Sequence, residues 1–467
     1  MFKISNHYVS KVVSSLLVLE LLILIGSFYA GAGMRFFDGG TFAVPRLDHF
    51  FLSACVFAAA IVFSMSALGM YHIDFSAGLA KPFFLQLLPA FAMGFCILTL
   101  IFYVEPDLYF GRGVLLLVFT VATGGIALVR FAFRKTSESS YLKSRVLFLG
   151  SGTLAMESGH LALQPGSYRK YQIVGYVPIG TEECCVPEQS LLPLAEDVSL
   201  LTMARRHGVT EIVVSVQNRR NGAYPIKDLL ACKLAGMHIT DADSFFERET
   251  CQIRVESMQP SWLVFGSGFD QTFRRIYMKR SFDVAVSLVM LALTVPIMLF
   301  AALCILIEDG GPIFYQQERI GLDGKPFKVL KFRSMGSDAE KNGKPQWAAK
   351  NDPRITRVGN IIRRTRIDEL PQIWNVFKGE MSFVGPRPER EYFARLLTEG
   401  VPYYNIRHCL KPGITGWAQV RYGYGDSLED SVQKLRYDLY YVKNNSLLLD
   451  VLILIDTVKV VLFGAGR

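Results

Sequence analysis

Arg274-Arg-Ile-Tyr-Met-Lys279-Arg280-Ser-Phe-Asp283-Val-Ala-Val-Ser-Leu-Val-Met-Leu-Ala-Leu-Thr-Val295-Pro296-Ile-Met-Leu-Phe-Ala-Ala-Leu-Cys304-Ile-Leu-Ile307 decides how this chain is built. From Phe282 to Ile307 it is apolar except for Asp283. A straight helix over residues 281–307 would reach roughly 40 Å, enough to cross a bilayer. Its flanks oppose a crossing. Arg274, Arg275, Lys279 and Arg280 precede it, and Arg319, Lys325, Lys328, Lys331 and Arg333 follow it. A span would therefore leave one basic cluster on the wrong side of the membrane. Pro296 removes a helical hydrogen bond and bends the segment, which leaves halves of ~15–20 Å, each too short to cross alone. The segment reads as a re-entrant hairpin that enters and leaves by the cytoplasmic face, with a kinked fifth span as the alternative.

Upstream, the chain is again written for lipid. Of 467 residues 51% are hydrophobic and only 19% charged, which excludes a disordered chain and is low in charge for a soluble one. Four apolar segments, Val12 to Met34, Phe50 to Met70, Pro82 to Val104 and Gly113 to Phe133, each match the ~20 residues that cross a bilayer. Lys3 and Lys11 precede the first, and Arg134, Lys135, Lys143 and Arg145 follow the fourth, while residues 35–49 and 105–112 have no basic excess. Both ends are thus expected in the cytoplasm. Glu20, the only acidic residue within these spans, is expected at a helix contact, and so little intramembrane charge argues against a pump or channel. Residues 1–136 read as a four-helix transmembrane domain, with no cleavable signal evident at the start. Eight cysteines without metal-binding spacing exclude a zinc module and make reduced thiols the default.

Between these membrane segments, after a linker around Ser137 to Ser144, the texture changes. Arg145-Val-Leu-Phe-Leu-Gly150-Ser-Gly152-Thr-Leu-Ala155 reads as a buried strand running through a glycine turn into a helix, the G-x-G-x-x-A form of the dinucleotide fingerprint. Further strands are expected at Ile173 to Val177 and Glu211 to Val216, with a helix around Leu200 to His207. Residues 137–268 are therefore expected to form a Rossmann-like α/β cytoplasmic domain. Gly150 and Gly152 are a weak cofactor signal. The acidic residue that should close the second strand is missing, and that strand ends Gly175-Tyr-Val-Pro178. A structural or regulatory role is the expectation; a nicotinamide-dependent sugar-modifying enzyme is the other reading.

Downstream, residues 269–467 form the third domain. Between Arg319 and Arg366 stand 13 basic and 4 acidic residues, a surplus equal to the whole chain's +9. Nucleic acid is a poor partner for it, because the aromatics are not interleaved with the basic residues as stacking platforms. Arginines alternate there with glycine, proline and acidic residues, a pattern better suited to an anionic substrate. In Gly359-Asn-Ile-Ile-Arg363-Arg364-Thr-Arg366-Ile-Asp368-Glu369-Leu-Pro371-Gln372, Pro371 suits a first helical turn and puts Asp368 and Glu369 at or near a helix N-terminus. Asp368 then reads equally as a helix cap or as a nucleophile. Gly385-Pro386-Arg387-Pro388 fixes Arg387 between two prolines, as a phosphate fork requires. The closing apolar segment, Ser446 to Phe463, carries Asp450, Asp456 and Lys459 and is expected to lie on the membrane as an interfacial helix.

Four phrases in order, Lys331-Phe-Arg333-Ser-Met335, Ile367-Asp-Glu-Leu-Pro-Gln372, Met381-Ser-Phe-Val-Gly-Pro-Arg-Pro388 and Lys411-Pro-Gly-Ile-Thr-Gly-Trp-Ala-Gln-Val420, resemble the bacterial polyprenyl-phosphate sugar-1-phosphate transferases. The multi-domain layout resembles their large, exopolysaccharide-initiating form. Asp241 to Arg248 and Gln419 to Gly425 resemble the branch associated with exosortase-type loci. The resemblance implies a monotopic α/β catalytic domain on the cytoplasmic face of the bacterial inner membrane. It implies a nucleoside diphosphate sugar, by family default a UDP-sugar, as donor and a polyprenyl phosphate as acceptor. Asp368 would attack the sugar-bearing phosphate, UMP would leave, and the lipid phosphate would collect the phosphosugar. Glu369 would be a base or metal-side carboxylate, and Mg²⁺ would sit at Asp368 and Glu369. Arg363, Arg387, Lys331 and Arg333 would bind substrate phosphate, and Lys279, Arg280, Asp283 and Pro296 would form the membrane entrance for the lipid. Relatives often carry Ser-Pro at the kink; Val295 here removes that serine's back-bond. A homodimer is the expected assembly. A catalytically decayed membrane sensor or scaffold is the non-enzymatic alternative, and the joint presence of Asp368, Glu369, Arg363 and Arg387 argues against it.

Overall fold

The computed structural model describes residues 2–4, 7–9, 11–38, 41–42, 49–71, 83–137, 143–164, 171–179, 183–194, 198–216, 225–256, 258, 263, 268–269, 271–336, 354–423 and 427–463. Pro82, most of the expected linker (138–142), Lys341, Lys344 and Lys350 of the basic stretch, and the close of Gln419 to Gly425 lie outside them. The chain forms two compact units, Met1–Phe2 with Val9–Thr250, and Lys3–Tyr8 with Cys251–Arg467. Two short strand pairs, β1 (Phe2–Ile4) with β2 (His7–Val9) and β3 (Phe37–Asp38) with β4 (Thr41–Phe42), flank the first helix.

In the first unit, α1 (Lys11–Arg35), α2 (Phe50–Ala67), α3 (Phe83–Val104) and α4 (Arg112–Ser137) share one apolar core around Phe28, Phe57, Phe91 and Val118. All four are long and apolar enough to cross a bilayer. α1 and α4 approach closely at Gly31, where a Cβ would stand 2.7 Å from the Val118 side chain. Glu20 is at a helix contact. The Arg130 guanidinium of α4 binds it through Nε and through Nη2 at 3.1 Å, and Tyr71 donates to it at 2.6 Å. Paired on every side, it is a polar clasp between helices.

The same unit holds a four-stranded parallel sheet in the order β6 (Tyr171–Val177), β5 (Ser144–Leu149), β7 (Glu211–Val214), β8 (His238–Asp241). The two-residue period of β5 divides its side chains between two cores. Leu147 and Leu149 pack with α6 (Leu200–Arg206) and α7 (Ile226–Leu234), while Val146 and Phe148 pack with α5 (Thr153–Leu163) and α8 (Ala242–Thr250). Helices thus cover both faces. Gly150 has φ +123, and a Cβ there would stand 2.6 Å from the Ser215 carbonyl oxygen, so the strand-to-helix turn requires glycine. Gly152 caps α5, and the Cys185 amide donates to the Ser151 carbonyl beside it at 2.8 Å.

In the second unit, α9 (Phe273–Asp309) contains Pro296 without interruption. A proline costs one helical hydrogen bond while neighbouring turns keep theirs, so the helix runs on through Pro296. The hydroxyl absent at position 295 is supplied one residue earlier, where Thr294 Oγ1 donates to the Met290 carbonyl at 2.7 Å. An antiparallel hairpin follows, β9 (Phe314–Ile320) with β10 (Pro326–Phe332). Then come α10 (Arg357–Arg364), α11 (Gln372–Lys378), β11 (Ser382–Val384), α12 (Glu391–Gly400), β12 (Gly413–Thr415), α13 (Trp417–Arg421), α14 (Leu428–Asn444) and α15 (Leu447–Phe463). β11 and β12 pair in parallel. The core gathers Val376, Met381, Trp417, Leu439, Tyr440 and Ile453, and Ile253, Val255 and Met258 join it.

In α15, Asp450 and Asp456 lie inward beside buried Leu449 and Ile453, while Val451 and Val461 face outward. The reason is pairing: Lys279 Nζ meets Asp450 at 2.7 Å, and Arg421 meets Asp456 at 3.5 Å.

Candidate active site

Asp368 and Glu369 sit in a single 3-10 turn, Ile367–Glu369, between α10 and α11. Thr365 ends α10, and Arg366 then takes the left-handed conformation at φ 61, turning the chain sharply into the acidic pair. Pro371 occupies the cap of α11 with no side-chain hydrogen bond, so Asp368 is not a helix cap. At seven residues, α11 is too short for its terminus to serve as an anion site. Asn375 ties it to β10, accepting from the Leu330 amide at 3.0 Å and donating to the Lys328 carbonyl at 2.8 Å. That tie sets Lys331 against the turn.

Glu369 Oε1 accepts from Lys331 Nζ at 3.0 Å and from Arg387 Nη2 at 3.1 Å. Burial alone would raise its carboxyl, but these two cations outweigh burial and hold it well below the usual carboxylate range. Asp368 behaves oppositely. Burial and the neighbouring Glu369 charge push it up to about 6, with Lys331 and Arg363 opposing. Its Oδ1 is buried without a hydrogen-bond partner, and so is Nη1 of Arg363. Two adjacent carboxylates thus differ sharply: Glu369 is locked into an ion-pair network, while Asp368 keeps an unused oxygen and Arg363 an unused guanidinium N–H. Buried polar atoms are seldom left this way outside functional sites.

Arg387 stands on an anchored loop. The Gly413 amide donates to the Pro386 carbonyl at 3.0 Å, Arg407 Nη2 to that of Arg387 at 2.9 Å, Arg319 Nη1 to that of Pro388 at 3.1 Å, and the Ile320 amide to that of Glu389 at 2.9 Å. Four successive carbonyls are held. Arg407 is itself buried, bound to Asp438 at 2.8 Å and to the Tyr404 hydroxyl.

Of the expected site residues, the fold brings together Asp368, Glu369, Lys331, Arg387 and Arg363. It employs Arg333, Lys279 and Arg280 elsewhere. Arg333 donates to the carbonyls of Asp309, Gly310 and Gly311, closing the C-terminus of α9. Lys279 pairs with Asp450, and Arg280 caps α11 through the carbonyls of Val376 and Phe377 at 2.7 and 2.6 Å. Asp283 accepts from Ser382 Oγ at 3.0 Å and the Phe383 amide at 3.2 Å, fastening α9 to β11. Helix ends leave carbonyls that need donors, and long cations supply them. Gly150 and Gly152 belong to the other unit. Sequence reasoning missed Arg319, Arg407, Asp438 and Asn375. Arg407, Asp438 and Asn375 gave only the signal of a polar residue among apolar neighbours, and Arg319 that of one more charge in a polar run.

Among the described residues no group of three or more His, Cys, Asp or Glu gathers as a metal cage. Mg²⁺ does not need one, since it binds through one or two carboxylates plus substrate phosphates. The unpartnered Asp368 Oδ1 fits that role, whereas Glu369 is engaged by two cations.

A family profile described as "Bacterial sugar transferase" matches residues 274–464. The chain is 39% identical over 238 residues to a UDP-N-acetylgalactosamine-undecaprenyl-phosphate N-acetylgalactosaminephosphotransferase of Aeromonas hydrophila, covering 51% of this chain and 55% of that one. It is 42% identical over 183 residues to a UDP-glucose:undecaprenyl-phosphate glucose-1-phosphate transferase of Escherichia coli K12, covering 39% of each. To the protein of the same description in Klebsiella pneumoniae it is 34% identical over 326 residues, 68% of each chain. The first two matches thus span about half and two fifths of those relatives' lengths.

Proposed function

This chain belongs to the bacterial sugar transferase family, and on that premise we propose that it moves a sugar-1-phosphate from a UDP-sugar to a polyprenyl phosphate at the cytoplasmic face of a membrane, beginning exopolysaccharide assembly. The observation that carries this reading is the unequal pair: Asp368 with a free buried oxygen and a raised carboxyl, beside Glu369 neutralised by Lys331 and Arg387. A carboxylate oxygen of Asp368 attacks the sugar-bearing phosphorus. The bond from that phosphorus to the oxygen bridging it to the UMP phosphate breaks, and UMP leaves with the electron pair. A phosphate oxygen of the lipid then attacks the same phosphorus and releases the carboxylate. Arg363 and Arg387 hold the phosphates, and Lys331 with Arg387 keeps Glu369 ionised and fixed. Mg²⁺ bound at Asp368 would neutralise diphosphate charge.

Two steps suit two anions. Held together, each unit pair at ~4 Å repels by about 4 kcal/mol even at an effective dielectric of ~20. Enzyme given a UDP-sugar and Mg²⁺ without lipid should release up to one UMP per active site and gain one phosphosugar mass on Asp368. UMP that appears only after lipid is added, with ternary-complex kinetics, would replace this mechanism by direct transfer. A panel of UDP-sugars in the same assay identifies the sugar.

The re-entrant reading of α9 has its own support. Near the start of the helix, Lys279, Arg280 and Asp283 bind α15, α11 and β11. At its end, Glu308 accepts from the amides of Arg357 and Val358 at 2.7 and 2.9 Å. Both ends are thus fastened to one unit, while Leu288, Leu293, Leu299 and Phe300 between them face outward. Single cysteines at the exposed Phe273 and Gly311, in a background without native thiols, should react with an impermeant reagent from the same side of sealed vesicles. Reaction from opposite sides would make α9 a span.

A further inference from the structure

Among the helices around the parallel sheet, α7 alone turns an apolar stripe to solvent. Ile226, Leu230 and Leu234 recur at every fourth residue, which sets them on one face, and they are 66%, 54% and 81% exposed. The neighbouring helices are ordinary. α5 presents Thr153, Glu157, His160 and, at its last position, Leu163, and α6 presents Thr202, Arg205 and Arg206. Single exposed leucines need no explanation, but a stripe of three does, on a helix already packed on its opposite side through Leu229 and Cys232. Lys227 and Lys233 flank the stripe and are exposed. Asp228, the only acidic residue of α7, is turned about 160° away from Leu230. Arg205 and Arg206 close α6, which shares its core with α7. None of these four cations forms an ion pair with a described residue.

Position narrows the choice of occupant. α7 leads into β8 and α6 into β7, and both strands begin level with β5: the Thr210 amide donates to the Arg145 carbonyl at 2.9 Å, and the His238 amide to the Thr210 carbonyl at 3.0 Å. Arg205, Arg206, Lys233 and Leu234 therefore stand at the edge of the sheet where β5 starts. That start, Ser144, comes seven residues after Ser137 ends α4, a helix long and apolar enough to cross a bilayer. Seven residues reach at most ~25 Å, so this edge is tethered close to the end of a membrane helix. A second copy of the chain fits the face badly, because a two-fold contact would set its lysines and arginines against their own equivalents. A bilayer with anionic lipid suits both parts of the pattern: apolar side chains enter the headgroup boundary, and the cations meet lipid phosphate.

We propose that the exposed face of α7, with the end of α6, docks on an anionic lipid surface and holds the parallel sheet against the membrane. The sugar-phosphate transfer described above uses none of these residues, so the two readings stand or fall separately.

The full-length protein in nanodiscs tests it. In a background without native thiols, Leu230→Cys carries a fluorophore, Glu157→Cys on the other face of the sheet carries the control, and doxyl-labelled lipid in the disc quenches a probe that touches lipid. In discs containing phosphatidylglycerol the probe at position 230 should lose at least half of its emission and the control less than a tenth. Phosphatidylcholine discs, or the added pair Lys227→Glu and Lys233→Glu, should reduce the quenching at position 230 at least threefold. Hydrogen exchange of the unlabelled protein reads the same face without a cysteine variant: the amides of α7 should exchange at least threefold more slowly in the anionic discs than in the neutral ones. An unquenched probe at position 230 overturns the proposal, and a blue shift without quenching assigns the face to a second copy or to another part of the chain instead. Equal quenching of both probes, quenching indifferent to lipid charge, or unchanged exchange at α7 overturns it as well.

Discussion

Asp368→Asn should eliminate lipid-free UMP release and overall transfer together, by roughly a thousand-fold or more, while the protein melts no lower than wild type. The amide keeps the shape of the carboxyl but offers no anionic oxygen to the phosphorus. The stability half of the result follows from burial. Asp368 is 9% exposed, and its carboxyl is pushed up to about 6, so the folded protein binds that proton more tightly than the unfolded chain does. At pH 7 the charged group therefore opposes folding, and that cost fades as pH falls through about 6. A neutral asparagine removes it. The same value sets the acid limb of catalysis: kcat/KM for the UDP-sugar, which reports the free enzyme, should fall below about pH 6 as the nucleophile protonates. Calorimetry and the UMP assay on one preparation check both halves. Activity within tenfold of wild type would remove Asp368 from the covalent role.

Arg407→Met should be the most damaging single change to stability in the second unit. Arg407 is 5% exposed and Asp438 2%, and they meet at 2.8 Å. Removing the guanidinium leaves a carboxylate buried without its partner, which costs about 3–5 kcal/mol. It also withdraws the donor that holds the Arg387 carbonyl at 2.9 Å. The double change Arg407→Met with Asp438→Leu separates these effects. Replacing both charges by apolar groups should recover most of the melting temperature, because a buried ion pair contributes little net stability over packing. Activity should not return, because the loop carrying Arg387 remains without that tie. Recovery of both together would reduce Arg407 to a folding residue.

Much of the reaction centre was legible in the sequence because its residues are close in the chain or stiffened locally. Asp368 and Glu369 are adjacent, and Arg387 is held between prolines. The unbroken apolar run Val146 to Leu149 of β5 likewise declared a strand buried on both faces. What the sequence hid is the choice of partner. A sequence displays the charge of Arg333, Arg280 and Lys279, but not the helix-end carbonyls that bind the two arginines or the Asp450 carboxylate that pairs with the lysine. Arg407 and Asp438 are 31 residues apart and find each other only in the core. In α15 likewise the sequence shows two aspartates on an apolar helix, but not that Lys279 and Arg421, from elsewhere in the chain, pair with them.

The bond between Lys279 and Asp450 also sets an order of events. A ribosome delivers α9 long before it delivers α15, since nearly the whole catalytic unit lies between them in the chain. The apolar helix must therefore find its seat at the bilayer while the countercharge for its first turns does not yet exist. During that interval the membrane, rather than the protein, shields it. Assembly thus closes backwards, with α15 fastening α9 only after the residues between them have been made.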